Sequence, residues 1–161
     1  MKTIEYTFFD KSKWEQGSWT NEIDKKQFVD KETGLPCLIV RAPHMGNLCG
    51  YVGVLPGHPL YGKDRFEISG CLSVHGGVNF AEACQKSDED YAVCHIPDPG
   101  ESDNVWWIGF DCGHAHDLTP FMSKVMIKYF GAHGAVYRDV AYVEKECARL
   151  AKQLKRDDFG Y

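Results

Sequence analysis

The C-terminal third of the chain carries its most regular hydrophobic pattern. Apolar residues recur there every three or four positions: Val136, Val140, Val143, Cys147, Leu150 and Leu154. This spacing predicts one amphipathic helix over residues 137–155. A shorter helix is predicted just before it, because Thr119 is a suitable N-cap and Pro120 suits the first helical position. Gly131 is expected to end that helix after Phe130.

Short apolar runs bounded by glycine, proline and polar residues precede the two helices. They predict strands at residues 4–9, 36–41, 47–54, 66–74, 92–95 and 105–110. The remainder of residues 1–34 has no regular pattern and is expected to wrap onto the body as a loop. Strands that come first and helices that come last are typical of an α+β fold. We therefore expect an antiparallel sheet covered by the long C-terminal helix, with one shorter helix.

Length and charge limit the class of protein. A chain of 161 residues is long enough for one domain and too short for two ordinary ones, so residues 1–161 are predicted to form a single domain. The net charge of −5 would repel a nucleic-acid backbone, which argues against a surface that binds a duplex. Glu5 and Asp10 interrupt the N-terminus and no apolar run follows them. We therefore expect no signal peptide and no membrane span, and predict a cytoplasmic protein.

The seven cysteines are predicted to be reduced thiols, because no secretion signal accompanies them. No Cys-x-x-Cys pair is present, so the strongest sequence sign of a structural zinc site is missing. Cys37, Cys49 and Cys71 each stand among leucine, valine and isoleucine. For these three we expect packing in the core.

Three clusters combine cysteine or histidine with glycine or proline, each at the predicted end of a strand. They occupy residues 71–77, 94–101 and 106–117. Loops that leave a rigid sheet commonly carry binding and catalytic residues. We therefore expect a polar pocket formed by the loops that follow His75, His95 and Phe110.

The third cluster offers the strongest chemistry. His114 and His116 are expected to point to the same side of the chain, and with Asp117 they could hold a divalent metal ion such as zinc. Direct contact with a ligand and structural hydrogen bonding are the open alternatives, because neutral histidine serves all three roles. The candidate catalytic residues are His75, Asp111 and Cys112. A Cys–His nucleophile pair would have to combine different clusters, since neighbouring residues of a strand face opposite ways.

The first cluster ends in a turn without side chains, which lets backbone N–H groups approach an anion closely. A plain tight hairpin explains the same glycines equally well. The candidate ligand-binding residues are His75, Gly76, Gly77, Tyr51, Lys63, Arg65, His95 and Trp107. Among them, the tyrosine, lysine and arginine would supply the stacking and phosphate contacts that a nucleotide needs. His44, His58 and His133 are interpreted as loop histidines.

Several runs of the chain resemble a family of small, uncharacterised phage and prophage proteins. The runs are GLPCLIVR (34–41), CGYVGV (49–54), GHPLYGKD (57–64), VHGG (74–77), WIGFDCGH (107–114) and YRDVAYV (137–143). The likeness covers roughly residues 14–154 and is specific in combination. It implies an accessory protein that acts in the bacterial cytoplasm. Some small phage proteins of this kind inhibit host defence by sequestering or cleaving nucleotide signals.

Three functions follow as expectations. The first is capture of a small nucleotide-like ligand, because glycine turns, aromatic side chains and polar donors occur without a complete catalytic motif. The second is a metal-assisted, phosphodiesterase-like hydrolase in which His114, His116 and Asp117 hold the ion and His75 moves protons. The third is an inhibitor that binds a host protein. A homodimer is an open alternative to a monomer.

Overall fold

The computed structural model describes residues 1–131 and 134–156. His133 lies outside these described residues. Within them, the chain forms one antiparallel sheet with the spatial strand order β1-β2-β3-β4-β6-β5. The strands are β1 (Ile4–Tyr6), β2 (Lys25–Val29), β3 (Pro36–Arg41), β4 (Leu48–Val54), β5 (Phe80–Ala83) and β6 (Trp106–Asp111). The helices are α1 (Arg65–Ile68), a 3₁₀ turn (Pro120–Met122), α2 (Ser123–Phe130) and α3 (Val140–Leu154). The predicted α+β class and antiparallel sheet are confirmed.

The N-terminal segment contributes more to the sheet than its sequence predicts. Its first strand ends at Tyr6, short of the predicted residue 9, and residues 25–29 form β2 inside the supposed loop. β2 pairs along its whole length with β3, from Lys25 opposite Val40 to Val29 opposite Pro36. Only two of its five residues are apolar, so it forms because β3 offers a partner rather than because of its own hydrophobic pattern.

Two further strand predictions are wrong. Residues 66–74 begin in α1, where the Asp64 carboxylate accepts hydrogen bonds from the backbone of Phe66 and Glu67. The Glu67 carboxylate in turn accepts from the Asp64 N–H at 2.9 Å, which completes a capping box. The capping box favours a helix here more strongly than the apolar run after it favours a strand. Residues 92 and 93 form a bend and residues 94 and 95 belong to no regular element, and the outer strand that pairs with β6 is instead β5.

The helix predictions agree with the structure at most boundaries. α2 ends at Phe130, as predicted, and Gly131 follows with a φ of 77°. α3 starts three residues later than predicted, because Asp139 caps it by accepting a 2.8 Å hydrogen bond from the Tyr142 N–H. No helix in the described part of the chain is long and apolar enough to cross a membrane.

Alternating residues of the sheet supply two separate apolar clusters. Cys37, Ile39 and Val52 face one side, where they pack with Val143 and Cys147 of α3. The other side carries a second cluster with these members: Leu38, Val40, Cys49, Tyr51, Val93, Val105 and Trp107. Both faces of the central strands are therefore buried, which explains why β3 and β4 are continuous apolar runs.

A buried polar network fastens the N-terminal segment to the start of α3. The guanidinium of Arg41 is fully buried and donates to Asp24 at 2.8 Å, to Glu22 at 3.0 Å and to the Tyr137 hydroxyl at 2.9 Å. Burial opposes ionisation of Asp24, yet its hydrogen bonds, chiefly from Lys11, lower its pKa below 3.8. Asp24 is therefore ionised in the folded protein, and the neighbouring cations stabilise its buried charge.

The cysteines depart from the sequence prediction in two ways. Cys84 and Cys94 form a disulfide with a Cα–Cα distance of 4.8 Å, so these two are not reduced thiols. Cys71 is exposed rather than packed in the core, because the strand expected around it is absent. Cys37 and Cys49 are buried, as predicted.

We expect the disulfide to contribute measurably to stability. It links residues separated by 10 positions, and closing a loop of that size contributes about 2–3 kcal/mol through the unfolded chain. Adding a reductant should lower the free energy of unfolding of the wild type by that amount. The double variant Cys84→Ser/Cys94→Ser should show no response, whereas exposed Cys71→Ser should respond like the wild type. Equal unfolding curves with and without reductant would contradict this pairing.

Candidate functional site

Three segments that are distant in sequence meet beside the C-terminal end of β6. They are the loop before β5, the end of β6 with the loop after it, and the first turn of α3 with the residues just before it. We call the group of polar residues at this meeting point the histidine cluster; its members are His75, Asp111, His114, Asp117, Arg138 and Tyr142.

His75 is held from both sides of its ring. Its Nε2 lies 2.8 Å from Asp117 Oδ2, and its Nδ1 lies 2.8 Å from the Tyr142 hydroxyl. Its backbone N–H donates to Glu146 at 3.0 Å, which fixes the loop against α3. Both ring nitrogens are therefore already engaged within the protein.

Asp117 is the buried centre of the cluster, with a side chain that is 2% exposed. It accepts hydrogen bonds from His75, from the His114 N–H at 3.0 Å and from Arg138 Nε at 3.1 Å. Burial opposes ionisation, but these hydrogen bonds outweigh it and lower the Asp117 pKa below 3.8. The stabilisation this gives is complete above pH 3.8 and is lost as the pH falls through the lower folded-state pKa.

Arg138 is positioned by two neighbours. Its Nε donates to Asp117, and its guanidinium lies over the Tyr142 ring at 4.6 Å from the centroid. The side chain remains partly exposed. Within the described residues its two terminal amino groups make no hydrogen bond to the protein. Arg138 therefore has a fixed Nε and two terminal amino groups on a side chain that is partly exposed.

His114 forms the exposed side of the cluster. Its side chain is 42% exposed, and its Nε2 lies 3.4 Å from Asp111 Oδ1. The rings of His114 and His75 are 5.7 Å apart between centroids. Asp111 is itself held by the Asn79 amide and by the Gly113 N–H. The exposed imidazole therefore lies beside the fixed one, with its orientation set by a carboxylate.

The contacts continue from Asn79 to the start of α1. Arg65 Nη1 lies 3.4 Å from the Asn79 carbonyl oxygen, and the Arg65 guanidinium covers the Phe66 ring at 4.7 Å. Phe66 is 76% exposed. An aromatic surface and a second arginine thus adjoin the histidine cluster.

Gly76 and Gly77 both have positive φ, at 65° and 87°, and the Gly77 N–H donates to Val74 O at 2.9 Å. The turn is therefore a tight reversal that directly supports the cluster. A Cβ atom on Gly76 would lie 1.8 Å from His114 Nε2, whereas a Cβ on Gly77 meets nothing within 4 Å. Only glycine at position 76 leaves room for the His114 ring.

This difference gives a matched pair of variants. Gly76→Ala and Gly77→Ala should each lower the free energy of unfolding by about 1 kcal/mol, because both force alanine into the left-handed region. Only Gly76→Ala should also displace His114, which ¹H–¹³C spectra of the imidazole resonances would detect. An unchanged His114 signal in Gly76→Ala would contradict the packing described here.

Cys112 is not available as a nucleophile in this arrangement. Its side chain is buried in the cluster that packs against α3. Burial, and then the nearby negative charge of Asp117, raises the pKa of its thiol. The protonated and enclosed thiol corresponds to a structural cysteine rather than to a reactive one.

The structure does not bring His114, His116 and Asp117 together as a ligand set. In residues 1–131 and 134–156, no group of three or more His, Cys, Asp or Glu side chains is arranged to hold a metal ion. Asp117 already accepts hydrogen bonds from three protein donors. The rings of His116 and Phe130 meet with their centroids 6.3 Å apart. The two histidines thus have different surroundings.

Other candidates lie away from the cluster. Tyr51 and Trp107 are buried on the face of the sheet away from α3, where Tyr51 contacts Phe80 and Trp107 contacts His95. The Lys63 carbonyl accepts from Trp106 Nε1 at 3.0 Å. Of the two loop histidines in the described residues, His44 is exposed. The other, His58, bonds to the Leu154 carbonyl at 2.7 Å.

Sequence reasoning missed two members of the cluster. Neither Arg138 nor Tyr142 was among the predicted site residues, and Asp139 between them caps α3. A usable signal did exist, because Tyr142 and Glu146 share one side of α3 and Arg138 precedes Tyr142 by the same four-residue spacing. That side is adjacent to the buried stripe.

Comparisons with protein-family models, with curated proteins and with solved structures found no match to this chain.

Proposed function

We propose that the histidine cluster binds the phosphate group of a small, nucleotide-like ligand. The main observation behind this proposal is the hydrogen bonding of Arg138. Its Nε donates to Asp117, while its terminal amino groups have no hydrogen-bond partner among the described residues. A planar guanidinium with two parallel donors matches phosphate geometry. The exposed imidazole of His114 adds a further donor next to it.

The ligand would extend from the phosphate toward α1. Phe66 is exposed beneath Arg65, and this pair is linked to the cluster through Asn79 and Asp111. Exposed aromatic rings and arginine planes bind nucleobases by stacking, at about 1–3 kcal/mol per base. The arrangement supports a ligand that has an anionic end and a flat ring.

Capture is favoured over hydrolysis through His75. A general base must offer a nitrogen to the substrate, and both nitrogens of His75 are engaged by Asp117 and Tyr142. The hydrolase hypothesis also relies on His114, His116 and Asp117 as metal ligands, and these do not form a ligand group in the described residues. The geometry therefore supports binding better than turnover.

The experiment is a ligand panel measured by thermal shift and by product analysis. Pyrophosphate, AMP, ADP and cyclic dinucleotides should raise the melting temperature in a saturable way, and adenosine should not. Product analysis should find the nucleotides intact. No shift with any phosphate compound would count against the proposal, and turnover that ceases in His75→Gln would favour the hydrolase.

A second candidate, binding to a protein partner, is favoured by the surface of α2. This eight-residue helix buries only Ser123. The exposed large side chains around it are Phe121, Met122, Val125, Ile127, Tyr129 and Phe130. A short helix with so little packing is marginal alone, and exposed apolar patches commonly mark interaction sites. The partner would be a host factor or a second copy of the chain.

This candidate is tested separately from the first. Val125→Asp/Ile127→Asp should abolish capture of a host protein, or convert a dimer to a monomer in sedimentation, while nucleotide-induced thermal shifts persist. A monomeric wild type that captures no host protein would remove this candidate. A role against host defence rests on the resemblance to phage proteins and stays a proposal under either function.

A further inference from the structure

A cavity lies on the face of the sheet opposite the histidine cluster. Its volume is about 380 Å³, and its walls include the apolar side chains of Val29, Pro36, Leu55 and Val105. His95 supplies a polar part of the wall. Cavities of this size are typical of sites that bind small molecules.

His95 of this wall and its neighbour Trp107, which does not line the cavity, each have one buried polar atom without a hydrogen-bond partner in the described residues. These atoms are His95 Nδ1 and Trp107 Nε1. The two rings meet edge to face with centroids 5.5 Å apart, and Trp107 is 0% exposed. A buried donor or acceptor without a partner costs about 1–3 kcal/mol, so native proteins rarely keep one without a reason.

The surroundings define the charge of a suitable ligand. Burial lowers the His95 pKa below 6.5, so the ring is neutral at neutral pH. A neutral imidazole has one donor and one acceptor nitrogen and suits an uncharged polar group. The two charged groups of the wall, the Met1 ammonium and the Glu101 carboxylate, already form an ion pair at 2.5 Å, so neither is free to pair with a charged ligand.

We propose that this cavity binds a small, uncharged and mostly apolar molecule that carries one hydroxyl or N–H group. The apolar body lies against Val29, Pro36 and Val105, and the polar group hydrogen-bonds to His95. The site does not rest on the proposed function of the histidine cluster, which takes an anionic group on the other face.

The test uses p-cresol and toluene, two probes that differ only by a hydroxyl group. Each is titrated into isotope-labelled protein while the imidazole resonances of His95 and the indole N–H resonance of Trp107 are followed. We expect p-cresol to shift both rings in a saturable way and to bind at least fivefold more tightly than toluene. His95→Phe should remove the difference between the two probes.

A surface variant keeps the test decisive if His95→Phe fails to fold. Leu55 is 51% exposed on the cavity wall, and exposed Ile96 lies outside this cavity, so Leu55→Asp and Ile96→Asp form a matched pair. Leu55→Asp should weaken p-cresol binding at least fivefold and Ile96→Asp should not. Absence of a saturable shift at both rings, or equal weakening in the two variants, would overturn this proposal and leave phosphate binding untouched.

Discussion

Arg41→Met is expected to lower the free energy of unfolding by about 3–5 kcal/mol, because it removes one partner of a buried ion network. The substitution keeps most of the side-chain volume but leaves Asp24 and Glu22 without their shared guanidinium. It also removes donors from the carbonyls of Gly46 and Ile23. Domains of this size are stable by only about 5–15 kcal/mol, so the loss would be a large fraction of the total.

Chemical denaturation of Arg41→Met beside Lys152→Met measures this effect. Lys152 pairs with Glu32 at 2.7 Å, but both side chains are exposed, so its removal should lower the free energy of unfolding much less than Arg41→Met does. A change in Arg41→Met no larger than that of Lys152→Met would show that the network does not fasten the N-terminal segment.

The second large effect is expected at Arg138. Arg138→Met should weaken binding of whichever phosphate compound the panel identifies by about 10- to 150-fold, since a hydrogen bond to a charged group contributes about 1.5–3 kcal/mol. Arg138→Lys keeps the charge but loses the paired donors, so it should recover only part of the affinity. Calorimetric titration gives these values directly.

Lys152→Met is the matched control for Arg138→Met. It removes one positive charge from α3, far along the helix from the cluster, and should leave the affinity unchanged. Equal weakening in both variants would mean that the ligand senses only the overall charge of the protein. Unchanged affinity in both would place the phosphate elsewhere.

The elements that the sequence predicted well are those whose apolar pattern is complete. β3, β4 and β6 are buried on both faces, and α3 has a buried stripe with Val143, Cys147 and Leu150. β2 and β5 were missed because they have mostly intermediate or exposed positions and form only by pairing with a neighbour. Pairing across the chain leaves no periodic signal in such short, mixed segments.

Part of the candidate site could also be predicted from the sequence. His75, Asp111, His114 and Asp117 stand in loops rich in glycine, and the structure brings these loops together. His95 was expected beside them, but it lies behind Trp107 on the other face of the sheet. Because residues 92–95 form no strand, rules of strand alternation could not place it. Arg138 joins the site through its own tertiary contact with Asp117.

The most direct test of phosphate binding at the histidine cluster is an NMR titration with pyrophosphate. The side-chain N–H of Arg138 and the imidazole resonances of His114 should shift in a saturable way with one common dissociation constant, while Lys152 signals stay constant. Gly76→Ala, which displaces His114, should weaken that response more than Gly77→Ala. If pyrophosphate shifts only scattered surface lysines, or leaves Arg138 and His114 unchanged, the cluster is not an anion site.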